Sequence, residues 1–303
     1  MLIPPKPLFP KWNQQEQRPR RERALTLIAG IRTGEGLILS ADTRTVIQEP
    51  PLLSSRAEKI HVLSDRMSDW RIVMAGAGHN DFIGMARDFI REKTMASPAN
   101  DVDILRAIRE SIAEIWRDYA RYEPGGVQLQ LLIASFSNDR STRFTVVSNT
   151  AVRDGADLEA FGVGDAMFRS LADRFLFHGH LTHVSGKAEA VRLFHIYAQQ
   201  QAKRAVPGVG GDTRVVTLGY DGKLKREKAM KVLAVEDFFE RFDQNVRVLL
   251  MQGITAYQAE TLTDFEFTQD PEAMLRTLSK NMLRELKKLR KEIDRIENDP
   301  TLI

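Results

Sequence analysis

The residue types of this 303-residue chain exclude several kinds of chemistry. It contains no cysteine, so a thiol nucleophile, a disulfide and a thiolate metal site are all impossible. It has neither a Ser-His-Asp set with a nucleophile-elbow glycine pattern nor a glycine-rich phosphate-binding motif. Half of its six histidines, His178, His180 and His183, lie in one short polar segment, and His-x-His spacing can bind a metal ion. Because no carboxylate cluster accompanies them, we expect neither a metal site nor a cofactor.

A hydroxyl and a carboxylate stand at the two ends of the segment from Thr26 to Asp42. Between them an apolar run rich in β-forming residues is broken by Gly34-Glu35-Gly36 and then resumes, which predicts two strands around a tight turn. Because the strands of such a hairpin run side by side, its start and its end lie close together. A threonine hydroxyl is a poor nucleophile unless a base lies beside it.

The order of the remaining elements predicts an α+β fold in which two antiparallel sheets are sandwiched between helical layers, a four-layer αββα sandwich. Periodicity and turn signals place strands, then two helices, strands again, two more helices and a last strand pair. Residues 1–24, rich in proline and then arginine, are expected to be extended or disordered. The predicted strands are 25–32, 37–40, 60–63, 71–75, 129–136, 144–148 and 213–219, and the predicted helices of the body are 81–94, 102–122, 165–175 and 188–203.

After about residue 231 the character of the sequence changes. Helices are predicted at 235–251 and 271–297, and the second carries an apolar seam of about three heptads. The seam is equally consistent with a helix packed on its own body and with a subunit contact. We therefore divide the chain into an N-terminal segment (1–24), a body (25–231) and a C-terminal helical extension (232–303). The seam residues are Leu275, Leu278, Met282, Leu286, Leu289, Ile293 and Ile296.

Charge and hydropathy argue against nucleic-acid and membrane partners. The net charge is +3, but residues 1–25 carry six basic and two acidic residues, and residues 280–303 carry seven basic and five acidic ones. The body between them is therefore slightly acidic and has no basic stripe with interleaved aromatic residues. No apolar run approaches the roughly 18 residues that a membrane span needs, and the first residues do not read as an export signal. We expect a cytoplasmic protein.

The segment TLIAGIRTGEGLILSADTR, residues 26–44, resembles the start of proteasome β subunits and of two bacterial relatives, the HslUV peptidase and Anbu. The shared pattern continues, in order and at near-family spacing, through Glu58-Lys59-Ile60, the strand ending in Ala-Gly at residues 72–78, the turn Phe161-Gly-Val-Gly164 and the glycine turn at 208–216. The resemblance covers residues 25 to about 230. It implies the fold of the N-terminal-nucleophile (Ntn) hydrolases.

The resemblance also implies roles for particular residues. Thr26 would be the nucleophile, Asp42 and Lys59 the buried charge pair that orients its hydroxyl, and Gly76 the backbone donor to the oxyanion. Met74 would line the pocket for an apolar substrate residue. Cleavage after Leu25 would free the α-amine of Thr26, a group that titrates near pH 8 and can act as the base.

Four positions depart from the family pattern. Leu25 stands where proteasome precursors usually have glycine at the cleavage junction. Val163 occupies the place of a supporting serine, and Val206 and Val209 occupy the places of a supporting aspartate and serine. Apolar side chains cannot provide the hydrogen bonds of those groups.

The first hypothesis is a threonine-type peptidase subunit that hydrolyses peptide bonds of peptides or unfolded proteins. It would act inside a homo-oligomeric ring, with a possible ATP-dependent unfoldase as partner. The second is a catalytically inactive proteasome-like structural or assembly protein, since the fold alone does not imply activity. A third is an Ntn amidase acting on a small amide.

Overall fold

The computed structural model describes residues 26–47, 53–64, 69–97, 99–122, 127–177, 188–262 and 271–299. Side chains are described within these ranges except at 45–47, 53–56, 122, 177, 248–262 and 271–278. The predicted histidine cluster, Leu25 and the N-terminal segment lie outside the described residues.

The described chain alternates between strands and pairs of helices, as the sequence predicts. The strands are β1 (Leu27–Arg32), β2 (Gly36–Asp42), β3 (Arg44–Ile47), β4 (Leu53–Arg56), β5 (Ile60–Ser64), β6 (Arg71–Gly78), β7 (Leu129–Phe136), β8 (Thr142–Ser148), β9 (Ala151–Asp154), β10 (Leu158–Gly162), β11 (Thr213–Gly219) and β12 (Leu224–Arg226). The helices are α1 (Asn80–Met95), α2 (Asp101–Asp118), α3 (Asp165–Ala172), α4 (Ala188–Ala205), α5 (Ala229–Leu262) and α6 (Pro271–Asn298).

Two five-stranded antiparallel sheets form the body of the described structure. The first has the strand order β10-β1-β2-β11-β12 and the second the order β5-β6-β7-β8-β9, while β3 and β4 pair as a separate hairpin. The predicted hairpin is β1 and β2, in the register Ile28 to Ala41. The α+β class expected from the sequence is therefore confirmed.

Side chains alternate between the two faces of a strand, so the apolar residues of one strand belong to separate clusters. In β1, Leu27 and Ala29 pack with α3, α4 and α5, whereas Ile28 packs with residues of the second sheet. The opposite face of the second sheet packs on α1 and α2 through residues such as Ile72, Ile90 and Ile108. Alternate residues of one strand thus serve two different clusters.

Several predicted boundaries differ from the observed ones. The strands β3, β4, β9 and β10 were not expected from the sequence, because they are only four or five residues long and partly polar. Helix α5 spans 34 residues, much longer than the predicted 235–251. Helix α3 ends at Ala172 and continues as a π-helical turn over Asp173–Phe177.

The C-terminal half of the α6 seam packs on the body. Leu289 and Ile296 are buried in the cluster formed by the first sheet and its helices, whereas the side chain of Leu286 is 43% exposed. A buried lysine of α5, Lys231, joins three elements there, with ion pairs to Glu189 of α4 at 3.0 Å and to Glu297 of α6 at 2.8 Å. None of the described helices is both long and apolar enough to cross a membrane.

The contact between the two sheets yields a test of the fold. A Cβ added at Gly30 of β1 would lie 2.6 Å from the ring of Phe144 and 2.8 Å from Leu39. The ring cannot move away, because Gly155 lies against its other edge. We expect Gly30→Ala to lower the free energy of unfolding by about 1–3 kcal/mol, measured by urea denaturation.

Gly84 provides the matched control for this substitution. It lies in α1, and a Cβ there would meet nothing within 4 Å. Gly84→Ala should raise stability by about 0.5–1 kcal/mol, since alanine loses less backbone entropy in a helix. Equal effects of the two substitutions would contradict the close packing of Gly30 on Phe144.

Candidate active site

Thr26, Asp42 and Lys59 form one buried cluster. The hydroxyl of Thr26 donates to Oδ1 of Asp42 at 2.5 Å, and Nζ of Lys59 donates to the same oxygen at 2.8 Å. Lys59 Nζ also donates to Oγ1 of Thr26, so each of the three groups contacts the other two. Their exposed fractions are 4%, 0% and 6%. Asp42 comes 16 residues after Thr26 and 17 residues before Lys59, yet the three side chains lie together in one small polar cluster.

Each member of the cluster comes from the end of a different strand. Thr26 directly precedes β1, Asp42 ends β2, and Lys59 directly precedes β5 of the second sheet. The hairpin register explains the first two, because Leu27 lies beside Asp42 and its N–H donates to Asp42 Oδ1 at 3.0 Å. Lys59 reaches the pair across the space between the two sheets. The cluster therefore depends on how the sheets are packed against each other.

The carboxylate of Asp42 is fully hydrogen-bonded although it is completely buried. Besides Thr26, Leu27 and Lys59 on Oδ1, the N–H of Gly210 donates to Oδ2 at 3.1 Å. A buried carboxylate is stable only when such donors replace water. Gly210 belongs to the glycine turn before β11, so backbone supplies a partner where the apolar Val206 and Val209 cannot.

Burial lowers the pKa of Lys59, and the attraction of Asp42 opposes that effect without cancelling it. A lysine with a lowered pKa can give up or accept a proton more readily near neutral pH than an exposed one. Its Nζ also donates to the carbonyl oxygen of Arg44, which fixes the ammonium in place. The arrangement can therefore hold and orient the hydroxyl of Thr26 and stabilise charge that develops on it.

Glycines let other backbone segments approach Thr26 closely. Gly162, at the end of β10, has φ +100°, and a Cβ there would lie 2.0 Å from the carbonyl oxygen of Thr26. The side chain of the next residue, Val163, packs against the apolar cluster of the first sheet. The Phe161–Gly164 turn thus contacts the site through its backbone, as a position with a left-handed φ requires.

The remaining predicted residues, Gly76 and Met74, are not members of this three-residue cluster. The N–H of Gly76 donates to the carbonyl oxygen of Lys59 at 3.0 Å, so Gly76 lies beside the site with its amide already engaged. The predicted oxyanion role would require that amide to leave or share this partner. Met74 is 0% exposed and packs between the second sheet and helices α1 and α2. Its place in the wall of a substrate pocket stays a prediction.

Sequence reasoning missed the groups behind the cluster. Gly162, Gly210 and Gln199 touch its backbone or its carboxylate, and none of them was assigned a role. The sequence offered one signal of a polar group behind the cluster. Ser40 lies two residues before Asp42 in the same strand, so the two side chains lie on the same face of the sheet.

In the described ranges, no group of three or more His, Asp or Glu side chains could hold a metal ion.

An open cleft of about 740 Å³ lies elsewhere and does not include Thr26, Asp42 or Lys59. It is formed where the start of β6 meets the β7–β8 and β11–β12 turns, with Arg71, Phe136 and Tyr220 in its wall. We place the candidate active site at the buried cluster instead, because chemistry requires the nucleophile, its charge partners and the close backbone donors together.

The arrangement of the two sheets and their flanking helices is similar to that of solved Anbu structures. Anbu (ancestral beta-subunit) from Yersinia bercovieri shares it with a TM-score of 0.56 and 12% sequence identity, over 80% of this chain and 100% of that chain. Anbu from Hyphomicrobium sp. strain MC1 gives a TM-score of 0.57 and 12% identity over the same shares. The resemblance seen in the sequence is thus confirmed for the fold. No protein-family model and no curated protein sequence matches the chain.

The buried charge pair predicts a large effect of Asp42→Asn on stability. The substitution leaves the ammonium of Lys59 buried without its carboxylate, which should lower the free energy of unfolding by about 3–5 kcal/mol in urea denaturation. The pKa of Lys59 should fall further. Because the unfolded chain then binds more protons than the folded one between the two pKa values, stability should rise as the pH increases through that interval.

Two controls separate the effect of burial from the effect of charge. Asp118→Asn removes the partner of Arg117 in an exposed pair, where water screens the charges, and should leave stability almost unchanged. Asp42→Asn combined with Lys59→Met removes both buried charges and should recover much of the loss. If Asp42→Asn and Asp118→Asn had equally small effects, the buried pair would not exist.

Proposed function

We propose that this chain is a threonine-type peptidase subunit whose nucleophile is Oγ1 of Thr26. The observation that carries the proposal is the buried contact of that hydroxyl with both Asp42 and Lys59. A hydroxyl becomes a useful nucleophile only beside groups that orient it and take its proton. The likeness to the Anbu structures supports the proposal at the level of the fold.

The first step would be cleavage of the chain between Leu25 and Thr26. Oγ1 of Thr26 attacks the carbonyl carbon of Leu25, the C–N bond breaks, and the Leu25 acyl group passes from nitrogen to oxygen. Water then hydrolyses the ester, leaving a carboxylate on Leu25 and a free α-amine on Thr26. The close approach of Gly162 to the carbonyl of Thr26 fixes the peptide that follows the nucleophile, between Thr26 and Leu27.

Peptide hydrolysis would follow the same chemistry with a substrate carbonyl. The free α-amine of Thr26 accepts the proton of Oγ1 as the hydroxyl attacks, and then donates it to the departing amine. The ammonium of Lys59, held in place by Asp42, stabilises the negative charge that develops at Oγ1. Water hydrolyses the resulting ester and regenerates the hydroxyl. The oxyanion would need a backbone donor, and Gly76 can serve only after its amide leaves the carbonyl of Lys59.

The four-layer order expected from the sequence, helices, sheet, sheet and helices, belongs to this proposal. It is supported by the three apolar clusters, one between the sheets and one on the outer face of each sheet. The start of β1, the end of β2 and the start of β5, which carry Thr26, Asp42 and Lys59, meet at one point.

A catalytically inactive scaffold is the second candidate, and specific observations favour it. Val163 and Val209 pack into apolar clusters where the family pattern has polar groups. The hydroxyl of Thr26 is also enclosed, since the residue is only 4% exposed. In that case the buried cluster would be an inherited structural element.

Intact mass of the purified chain separates the two candidates. We expect the wild-type protein to lose residues 1–25, and we expect Thr26→Ala and Lys59→Ala to keep them, because each removes part of the nucleophilic cluster. Thr33→Ala is the matched control, as Thr33 is a buried threonine at the other end of β1 whose hydroxyl binds the carbonyl of Gly36. A full-length mass for the wild type under all conditions would favour the inactive scaffold.

The assembly part of the proposal rests on the family resemblance. We propose that several copies of the 34.4 kDa chain form a closed ring that encloses peptide or unfolded substrates, with an ATP-dependent unfoldase as partner. Sedimentation at micromolar concentration should give a particle of several times the chain mass. A monomer under these conditions would contradict the ring.

A further inference from the structure

A second polar cluster is buried behind the first one. It consists of Ser40 of β2 with His195 and Gln199 of α4, and all three residues are 0% exposed. Oγ of Ser40 lies 2.7 Å from Nδ1 of His195 and accepts a hydrogen bond from Nε2 of Gln199 at 3.1 Å. The rings of Phe168 and Phe194 surround His195. The cluster therefore links helix α4 to the strand that ends in Asp42.

Burying this polar cluster stabilises the core less than burying apolar side chains of similar size would. Nε2 of His195 and Oε1 of Gln199 are buried and have no hydrogen-bond partner among the described residues, and an unsatisfied buried polar atom destabilises the folded state. Burial also lowers the pKa of His195 to about 3, so the ring is neutral and forms no ion pair. Apolar side chains of similar size would avoid these costs. The polar side chains are explained if their hydrogen bonds hold another part of the protein in place.

The hydrogen bonds of Gln199 lead directly to the candidate active site. Its Nε2 also donates to the carbonyl oxygen of Leu27, at the longer distance of 3.4 Å. The N–H of the same residue, Leu27, donates to Oδ1 of Asp42, and that oxygen accepts from both Thr26 and Lys59. One side chain of α4 thus holds both the residue next to the nucleophile and, through Ser40, the strand of the carboxylate.

We infer that Gln199, held in place by Ser40 and His195, is a positioning residue that keeps Leu27 against Asp42 and so keeps the hydroxyl of Thr26 in register with Asp42 and Lys59. The inference deepens the proposed function and rests on it. Gln199 contacts no reacting atom. It acts through the backbone of Leu27, whose placement decides whether Thr26 Oγ1 can reach its partners. Small displacements of a reacting group reduce rates strongly.

The neighbouring glutamine makes a matched control possible. Gln200 lies on the same helix, is 6% exposed, donates its Nε2 to a backbone carbonyl, that of Glu236 at 2.6 Å, and also leaves Oε1 unpaired. Its contact lies on α5 and involves neither Leu27 nor Ser40. Gln199→Leu removes the hydrogen bonds to Ser40 and Leu27, whereas Gln200→Leu removes a buried hydrogen bond of the same helix that makes no contact with Leu27.

The test compares both variants in three measurements. We expect similar losses of stability in urea denaturation, but only Gln199→Leu should slow the removal of residues 1–25, by about tenfold or more in a time course of intact mass. It should also raise the pKa of Lys59, followed by NMR of the lysine side chain. The reason is that a loosened Leu27 N–H no longer shares the charge of Asp42 Oδ1, which strengthens its hold on the Lys59 proton.

A second variant covers the case in which Gln199→Leu does not fold. Ser40→Ala combined with His195→Leu removes the support of Gln199 together with the unpartnered ring nitrogen and leaves Gln199 itself in place, with the carbonyl oxygen of Leu27 as the acceptor for its Nε2. Slower processing and a raised pKa of Lys59 are expected here as well. If either variant folds with the pKa of Lys59 unchanged, or if Gln200→Leu has the same effect, the positioning role is overturned.

The outcomes distinguish this inference from the proposed function. A wild-type chain that never loses residues 1–25 would remove the peptidase proposal. The titration of Lys59 in Gln199→Leu and Gln200→Leu would then still show whether Gln199 sets the geometry of the cluster.

Discussion

The buried ion pair between Asp42 and Lys59 is the interaction on which the rest of the site depends. Two opposite charges removed from water are stable only if each is paired and its remaining hydrogen-bonding capacity is satisfied. Asp42 meets that condition with four donors, and Lys59 with Asp42, Thr26 and the carbonyl of Arg44. These partners come from both sheets and from the turn before β11. The pair therefore requires the sheets and that turn to stay in one relative arrangement.

Backbone groups replace polar side chains around this pair. Where Val206 and Val209 provide no hydrogen bond, the amide of Gly210 reaches the carboxylate, and Gly162 brings the β10 turn onto the carbonyl of Thr26. Glycine permits such approaches because it has no Cβ to collide with the neighbouring chain. Backbone donors cannot titrate, so the amides of Leu27 and Gly210 stay available as donors to Asp42 whatever the pH. An apolar Val163 is tolerated beside Thr26 for the same reason, because its turn contacts the site through the backbone.

Much of the fold and part of the site could be predicted from the sequence. The hairpin from Thr26 to Asp42 follows from its apolar pattern and its glycine turn, and the position of Lys59 follows from the family resemblance. The pairing of β10 with β1 could not be predicted, because five partly polar residues carry no clear period. The inward direction of Met74 could not be predicted either, since the face of a strand is decided by its register against its neighbours.

The roles of Gln199 and Gly210 could not be predicted from the sequence either, because each contacts a residue that is far away along the chain. Gln199 is 172 residues from Leu27, and Gly210 is 168 residues from Asp42. Nothing in the local pattern of α4 marks one glutamine as facing the site and the next as facing α5. Only tertiary packing selects between them.

The most direct test of this account is the acylation of Thr26 by an electrophile that reacts with activated hydroxyls. A β-lactone reagent should add one acyl group to the processed chain, and peptide mapping by mass spectrometry should place it on Thr26. Thr26→Ala and Lys59→Ala should remain unmodified. Absence of the adduct from a folded, processed chain, or its placement on another residue, would contradict the claim that the contact with Asp42 and Lys59 makes Thr26 a nucleophile.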